Sequence, residues 1–501
     1  MRDSAVDRRS SRASVLDRSL RLFTDVRAGE GTTAVLLGLN VFLILTAYYF
    51  IKPIREALIL GESGAEIKSY ASAVQALLLL GAVPLYGRLA GRLPRRTLIN
   101  RVTLFFVGCL VVFFVLGNAG VPLGVPFFLW AGIFNLMVVA QFWSFANDVY
   151  TNDEGERLFP LVQFGASLGA VLGSVAVGRL IEPLGIYPPM LLAGALLLLG
   201  LALTTVVDRR ERRRTESGRP TGSTTLTNPA ATGEFRLETG EYTNLREALK
   251  EALARAERGE EPEAEQASPP APESQRAWAG SGAFELVFRT RYLLLIALLV
   301  LLVNWVNTTG EYILGRLVAE NASAAVAAGT TPLTTGQYIG RFYSDFFSVV
   351  NVVSLVLQLF LVSRIVKYVG VRWAIMILPA IALGGYALLA FFPLLAAVRW
   401  TKTAENATDY SLHNTIRNIL FLPLTREQKY KAKQVTDAFF WRAGDVLSAA
   451  AVFVGTAWLS LGASQFAVLN LALVAVWLLI AWRVGAEYRE LVRTGRPPGA
   501  T

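Results

Sequence analysis

Twelve long apolar runs limit what this chain can fold into more than any other feature. They lie near 32–52, 69–88, 99–118, 122–147, 158–181, 186–207, 292–314, 337–363, 373–397, 400–422, 432–460 and 463–485. A run of about 18 or more apolar residues is long enough to cross the hydrocarbon core of a bilayer as a helix. Runs such as LLLAGALLLLGLAL (191–204) are too long and too uniformly apolar for the period-two alternation of barrel strands. The expected fold class is an all-α polytopic membrane protein with twelve transmembrane helices. Composition removes the soluble alternative. Charged residues make up 17% of the chain, against roughly 25% in soluble proteins, and nearly half of them sit in 1–31 and 208–285.

Basic residues in the connecting loops set the orientation. Arg88, Arg92, Arg95, Arg96 and Arg101 crowd the second loop. Arg364, Lys367 and Arg372 mark the eighth, and Arg426, Lys429, Lys431 and Lys433 the tenth. The third and eleventh loops carry neither Lys nor Arg. Even-numbered loops and both termini are therefore expected on the cytoplasmic side of a bacterial inner membrane. The net charge of +10 follows from this bias, so no nucleic-acid partner is expected.

The organisation reads as a cytoplasmic tail (1–31), an N-terminal six-helix half (32–207), a cytoplasmic linker (208–285), a C-terminal six-helix half (286–485) and a second tail (486–501). The first tail has no cleavage signature and reads as retained and disordered. The linker opens on an arginine cluster and ends in the acidic, Pro-rich tract EEPEAEQASPPAPES. Between these, Leu245, Leu249 and Leu253 predict a short amphipathic helix near 244–258. That helix is either a regulatory element or part of a plain tether.

An internal repeat supports two halves. GRLAGRLPRRTLI (87–99) and SRIVKYVGVRWAI (363–375) follow spans two and eight and share Arg at their second and tenth positions. The first copy resembles the major facilitator loop motif G-x-L-A-D-R-x-G-R-R. Gly87, Leu89, Ala90, Arg92, Arg95 and Arg96 match, while Gly91 replaces the Asp and Pro94 the second Gly. Two parallel six-helix halves of major facilitator type are what this resemblance implies.

A charged side chain within a span costs roughly 2.5–3.5 kcal/mol on insertion scales, so it tends to face a polar cavity or an ionic partner. YYFIKPIREALIL (48–60) places Lys52, Arg55 and Glu56 at the end of span one, as cavity residues or as interfacial anchors. In span ten, Lys402, Glu405/Asn406, Asp409, His413 and Arg417 recur every three to four residues and share one helical face. The stripe is read as either a polar cavity wall or a buried ion-pair ladder. Arg341/Asp345 in span eight and Arg442/Asp445 in span eleven add pairs at helical spacing. Cations at mid-depth suit an anionic solute, because Arg grips phosphate oxygens through parallel N–H bonds. Gly165, Gly169 and Gly173 in span five have the spacing of a close helix–helix contact.

Enzyme signatures are missing. The chain has no Walker loop, H-E-x-x-H, G-x-S-x-G or dinucleotide fingerprint. The lone Cys109 excludes an internal disulfide, and the lone His413 excludes a His-rich metal site. No cofactor or metal is expected.

SFANDVYTNDEGERLFPLVQFGAS (144–167) and DYSLHNTIRNILFLPLTREQKYKAKQVTDAFFWRAGD (409–445) closely resemble the ATP/ADP translocase family of plastids and bacteria. YYFIKPIREALIL and NWVNTTGEYILG (304–315) resemble it more loosely. The resemblance spans both halves and implies a nucleotide carrier, with solute-handling residues at the places occupied by Arg55, Glu154, Asn307 and Arg417. Nucleotide exchangers of that family tend to have Lys at the positions of Arg55 and Arg417, and Glu at the position of Asn307. The expected function is a monomeric secondary transporter, not an enzyme. It would carry a nucleotide or related phosphate-bearing anion in ATP/ADP-type exchange by alternating access. The candidate site is Arg55, Glu154, Asn307 and Arg417, with Lys52, Lys402, Asp409, His413, Arg341 and Arg442. A proton-coupled carrier of another solute and a non-transporting scaffold or sensor are the alternatives.

Overall fold

The computed structural model describes residues 26, 27, 30–150, 152–217 and 282–495. Most of the N-terminal tail, most of the linker and its expected 244–258 helix lie outside the described residues. Among those described, every regular element is a helix. The first half comprises α1 (Gly31–Glu62), α2 (Gly64–Arg92), α3 (Arg95–Asn118), α4 (Gly124–Val149), α5 (Asn152–Leu184) and α6 (Pro188–Ser217). After a short helix at Ala283–Arg289, the second half comprises α7 (Arg291–Ala327), α8 (Thr335–Tyr368) and α9 (Val371–Phe391). It continues with α10, made of Leu395–Thr408, a π turn at Asp409–His413 and Asn414–Leu420. It ends with α11 (Gln428–Trp458) and α12 (Ala463–Thr494), the last continuing well past the expected end at 485.

Eleven of these helices are long and apolar enough to span a bilayer, and α10 is the exception. The physical reason is the charge it carries, from Lys402 to Arg417. The chain alternates direction, so α1 starts and α2 ends at one face of the bundle with the basic second, eighth and tenth loops. We call that face the basic end and the opposite face the far end. Large apolar side chains such as Leu85, Phe105, Phe391 and Leu479 point outward, as a lipid-facing surface requires. Polar side chains such as Asn40, Ser174, Lys402 and Asn470 are buried.

Each half has its own apolar core. The cores meet toward the far end, where Ile59, Leu60 and Ala65 of the first half join the core of the second. A polar seam runs along α5 and α8 beside this junction. Gln337 Nε2 donates to the Ile181 and Glu182 carbonyls (3.2 and 3.3 Å). Arg341 pairs with Glu182, and the Ser344 hydroxyl donates to the Ser174 carbonyl. Asn351 Nδ2 donates to the Ala170 carbonyl (3.2 Å). These α8 residues recur at helical spacing, so one face of α8 carries the whole seam.

At the basic end, Arg157 of α5 grips Glu30, just before α1, with two hydrogen bonds of 3.0 and 3.1 Å. Burial pushes the Glu30 carboxyl up, but the Arg157 guanidinium and the Arg27 backbone N–H outweigh it and hold the group below its ordinary value. In the second loop, Arg95 pairs with Asp148 of α4 (2.8 Å) and Asp208 of α6 (3.5 Å). Arg96 also lies 3.9 Å from Asp208, so interhelix pairing of this loop runs through Arg95 and Arg96, with Gly91 at the motif's acidic position.

The glycines of α5 pack as their spacing predicts. A Cβ on Gly165 or Gly169 would collide with the Gly38 or Phe42 carbonyl of α1, and one on Gly173 would lie 2.8 Å from the Thr46 carbonyl oxygen. Overpacking a tight contact typically costs about 1–3 kcal/mol. Gly169→Ala is therefore expected to lower the melting temperature in detergent. Gly108→Ala, with nothing within 4 Å of its new methyl, should change it little. Equal melting temperatures for the two variants would refute this packing of α1 on α5.

Candidate functional site

Directly on the basic-end side of the seam lies a cavity of about 450 Å³, walled by both halves. Pockets for small-molecule ligands are typically about 300–1,000 Å³. The first half contributes Leu45 and Tyr49 of α1 with Gln163, Ala166, Ser167 and Ala170 of α5. The second contributes Asn351, Ser354, Leu355 and Gln358 of α8 with Tyr410, Asn414 and Thr415 of α10. The lining carries no ionised side chain. It presents four side-chain amides, three aliphatic hydroxyls and two tyrosines, groups that donate and accept hydrogen bonds without a fixed charge. Tyr49 is itself positioned, since its hydroxyl donates to Asn351 Oδ1 at 3.0 Å.

Lys52 lies one turn beyond Tyr49 on α1, at the closed end of the cavity. Its ammonium is 3.9 Å from the Phe347 ring centroid, 5.4 Å from Tyr49 and 5.8 Å from Tyr410. Among the described residues it makes no hydrogen bond or ion pair. Two of its three cage rings line the cavity, and all three attract it through their π faces. The arrangement holds a cation beside a polar cavity with no carboxylate at ion-pair distance among the described residues.

Farther toward the far end, the remaining charges neutralise one another. Arg55, stacked on Phe128 at 4.9 Å, pairs with the adjacent Glu56. Glu56 forms an ion pair with Lys68 of α2 at 2.7 Å, and Lys68 lies 4.0 Å from Glu311 of α7. Glu311 is 3.8 Å from Lys402 of α10, which pairs with Glu405 at 2.9 Å and donates to Asn307 Oδ1 at 2.7 Å. Glu405 also accepts from the buried Tyr386 hydroxyl of α9 at 3.1 Å. This lattice links the two halves.

The expected site is therefore divided. Lys402 and Asn307 come together, but inside the lattice. The stripe on α10 is not one cavity wall: Lys402 and Glu405 form the buried ion-pair ladder, and the cavity face is Tyr410, Asn414 and Thr415. His413 is buried edge-on to Trp477 of α12, with ring centroids 6.4 Å apart. Asp409 is half-buried in the π turn. Arg55 and Arg417 lie toward opposite ends of the bundle and cannot grip one phosphate together in this conformation. Arg341 belongs to the far-end seam. Arg442 pairs with Asp445 (3.5 Å), which accepts from Asn304 and Thr308 in a contact between α7 and α11. Glu154 is half-buried at the basic end, near the start of α5. Lys68, Glu311 and the amide lining were not foreseen. The polar positions 337, 341, 344, 348, 351 and 358 within apolar α8 were the available signal.

Arg417 rests over the Trp441 ring at 5.0 Å and donates to Asn414 Oδ1 at 3.4 Å. Among the described residues it has no ion-pair partner, neither Asp409 nor Asp437. Arg417→Ala should therefore cost only the cation–π contact and the Asn414 hydrogen bond, about 1–2 kcal/mol together, and lower the melting temperature only slightly. A large drop would show that Arg417 is a structural residue.

The sequence matches the Major Facilitator Superfamily over residues 31–400. No curated protein sequence matches it significantly. Among solved structures, the fold is similar to that of the nucleoside transporter NupG (TM-score 0.56, 12% identity, 91% of this chain and 99% of that one). It is also similar to a POT family transporter in complex with 5-aminolevulinic acid (TM-score 0.54, 11% identity, 91% and 96%). An auto-inhibited POT family peptide transporter gives a TM-score of 0.53 at 12% identity, with 94% and 98% covered. At these identities the likeness is one of fold.

Proposed function

The chain belongs to the Major Facilitator Superfamily and is a multi-pass secondary transporter rather than an enzyme, and from that premise we propose that it carries a nucleotide or related phosphate-bearing anion. The observation that supports an anion is Lys52, an unpaired cation caged by aromatic rings at the closed end of a cavity between the halves. The amides and hydroxyls of the wall suit the edges of a base and a ribose. Resemblance of 144–167 and 409–445 to the ATP/ADP translocases supports exchange of one nucleotide for another. The protein works as a monomer in a bacterial inner membrane, with both termini and the basic end in the cytoplasm. Alternating access follows from rocking the halves about the cavity, with the seam and lattice closing the far end in this conformation.

The uncharged lining favours a second reading, carriage of a neutral nucleoside. Uptake of labelled ATP, ADP, AMP and adenosine into proteoliposomes, with and without internal nucleotide, separates the two. We expect nucleotide uptake stimulated by internal nucleotide. Uptake of adenosine alone would replace the first reading with the second, and uptake of none of the four would remove both. Thiol labelling of single cysteines at 120 and 210 tests orientation, and finding them on the same side would overturn it.

A further inference from the structure

A π turn holds one residue more than the α turn it replaces, so everything after it is displaced by one position, about 100° around the helix axis. In α10 the turn at Asp409–His413 has this effect on the cavity wall. Tyr410, Asn414 and Thr415 line the cavity, while His413 and Arg417 are turned toward Trp477 and Trp441. His413 is poorly served by this position. It is 3% exposed and neither ring nitrogen has a hydrogen-bond partner, which is unfavourable for a buried imidazole. A second π turn, Leu357–Leu361 of α8, packs against the first and places Gln358 in the cavity wall. Two irregular turns of the second half thus meet at the cavity.

In an unbroken α-helix, positions 410, 413, 414 and 417 share one face. We propose that the α10 turn is a register switch, relaxing to α-helical pitch when the far end opens. Residues after the turn then rotate by one position. Thr415 leaves the cavity wall, and His413 and Arg417 enter it. The solute would meet a threonine in the far-end-closed state and an imidazole with a guanidinium in the other, so an acidic group on it gains donors as the carrier turns over. This assignment of solute contacts rests on the cavity being the transport site, but the switch itself is measurable without solute.

Single cysteines replace His413, Thr415 or Arg417 in a Cys109→Ser background and are labelled with a water-soluble maleimide. Labelling is compared with the far-end clasp intact and with it removed by Glu182→Ala plus Arg341→Ala. Gln337→Cys, tested in the same two backgrounds, reports far-end opening. When position 337 becomes reactive, labelling at 413 and 417 should rise at least tenfold and labelling at 415 should fall. Continued protection of 413 and 417, or a parallel rise at all three positions, overturns the switch. Deleting Leu412 removes the extra residue but keeps Asn414 and Thr415 on the face of Tyr410 in a regular helix, so it blocks the switch. A monodisperse deletion protein with the clasp removed and position 337 reactive should still label at 415 and stay protected at 413 and 417, and a rise at 413 and 417 in it also overturns the proposal. Failure of nucleotide uptake leaves these labelling ratios untouched, so the switch and the proposed function fail separately.

Discussion

Lys52→Met is expected to abolish nucleotide uptake while leaving the protein folded. The wild-type ammonium has no carboxylate partner, so its removal strands no buried charge. What it gives up is attraction to three rings, about 0.5–2 kcal/mol, offset in part because an apolar side chain is cheaper to bury. Stability should therefore hold within about 1 kcal/mol. Transport should not hold. Removing one partner of a desolvated charge pair weakens binding by about 2–5 kcal/mol, and 2.7 kcal/mol is about a hundredfold. Lys52→Arg keeps the charge but does not fit the same aromatic cage, and should retain part of the activity. The measurements are initial uptake rates in proteoliposomes and melting temperature in detergent. Undiminished uptake by a stable Lys52→Met protein would take this residue out of the site.

The opposite pattern is expected at Lys402. This side chain is fully buried and sits between Glu405 and Glu311, with Asn307 as a third partner. Lys402→Met leaves two carboxylates facing each other in a low-dielectric interior, and breaking a buried pair this way costs about 3–5 kcal/mol. For a membrane protein of ordinary stability that is enough to collapse the expression of monodisperse protein. The double variant Lys402→Met/Glu405→Gln removes a charge of each sign and should recover a large part of the loss. A single variant that expresses and melts like wild type would show that the lattice is not holding the halves together.

The sequence reading reached the helices because membrane burial is decided run by run, and each apolar run carries its own signal. It reached the α1–α5 contact for the same reason, since Gly165, Gly169 and Gly173 announce a close approach by their spacing alone. It stopped at the charged face of α10. Lys402, Glu405, Asp409, His413 and Arg417 align only if the helix is regular throughout, and the π turn at 409–413 breaks that alignment at its centre. Nothing local in DYSLH distinguishes a π turn from an α turn. Lys68 and Glu311 escaped notice because neither has an opposite charge three or four residues away in its own helix, and their shared meaning lies in a partner more than two hundred residues away.

The lattice at the far end has an electrical consequence. Arg55, Lys68 and Lys402 face Glu56, Glu311 and Glu405, three positive groups against three negative ones. A cluster with no net charge does no net work when it shifts within the field of an energised membrane, however far its members move. One elementary charge crossing the full field exchanges about 2.3 kcal/mol per 100 mV. Outside the lattice, Lys52, Asp409 and Arg417, with a net charge of one, and the solute are then the components through which voltage can act on the empty and loaded carrier. Charge movements recorded from empty carriers after a voltage step should amount to about one elementary charge or less. Several charges per molecule would mean that the lattice comes apart and its members travel separately.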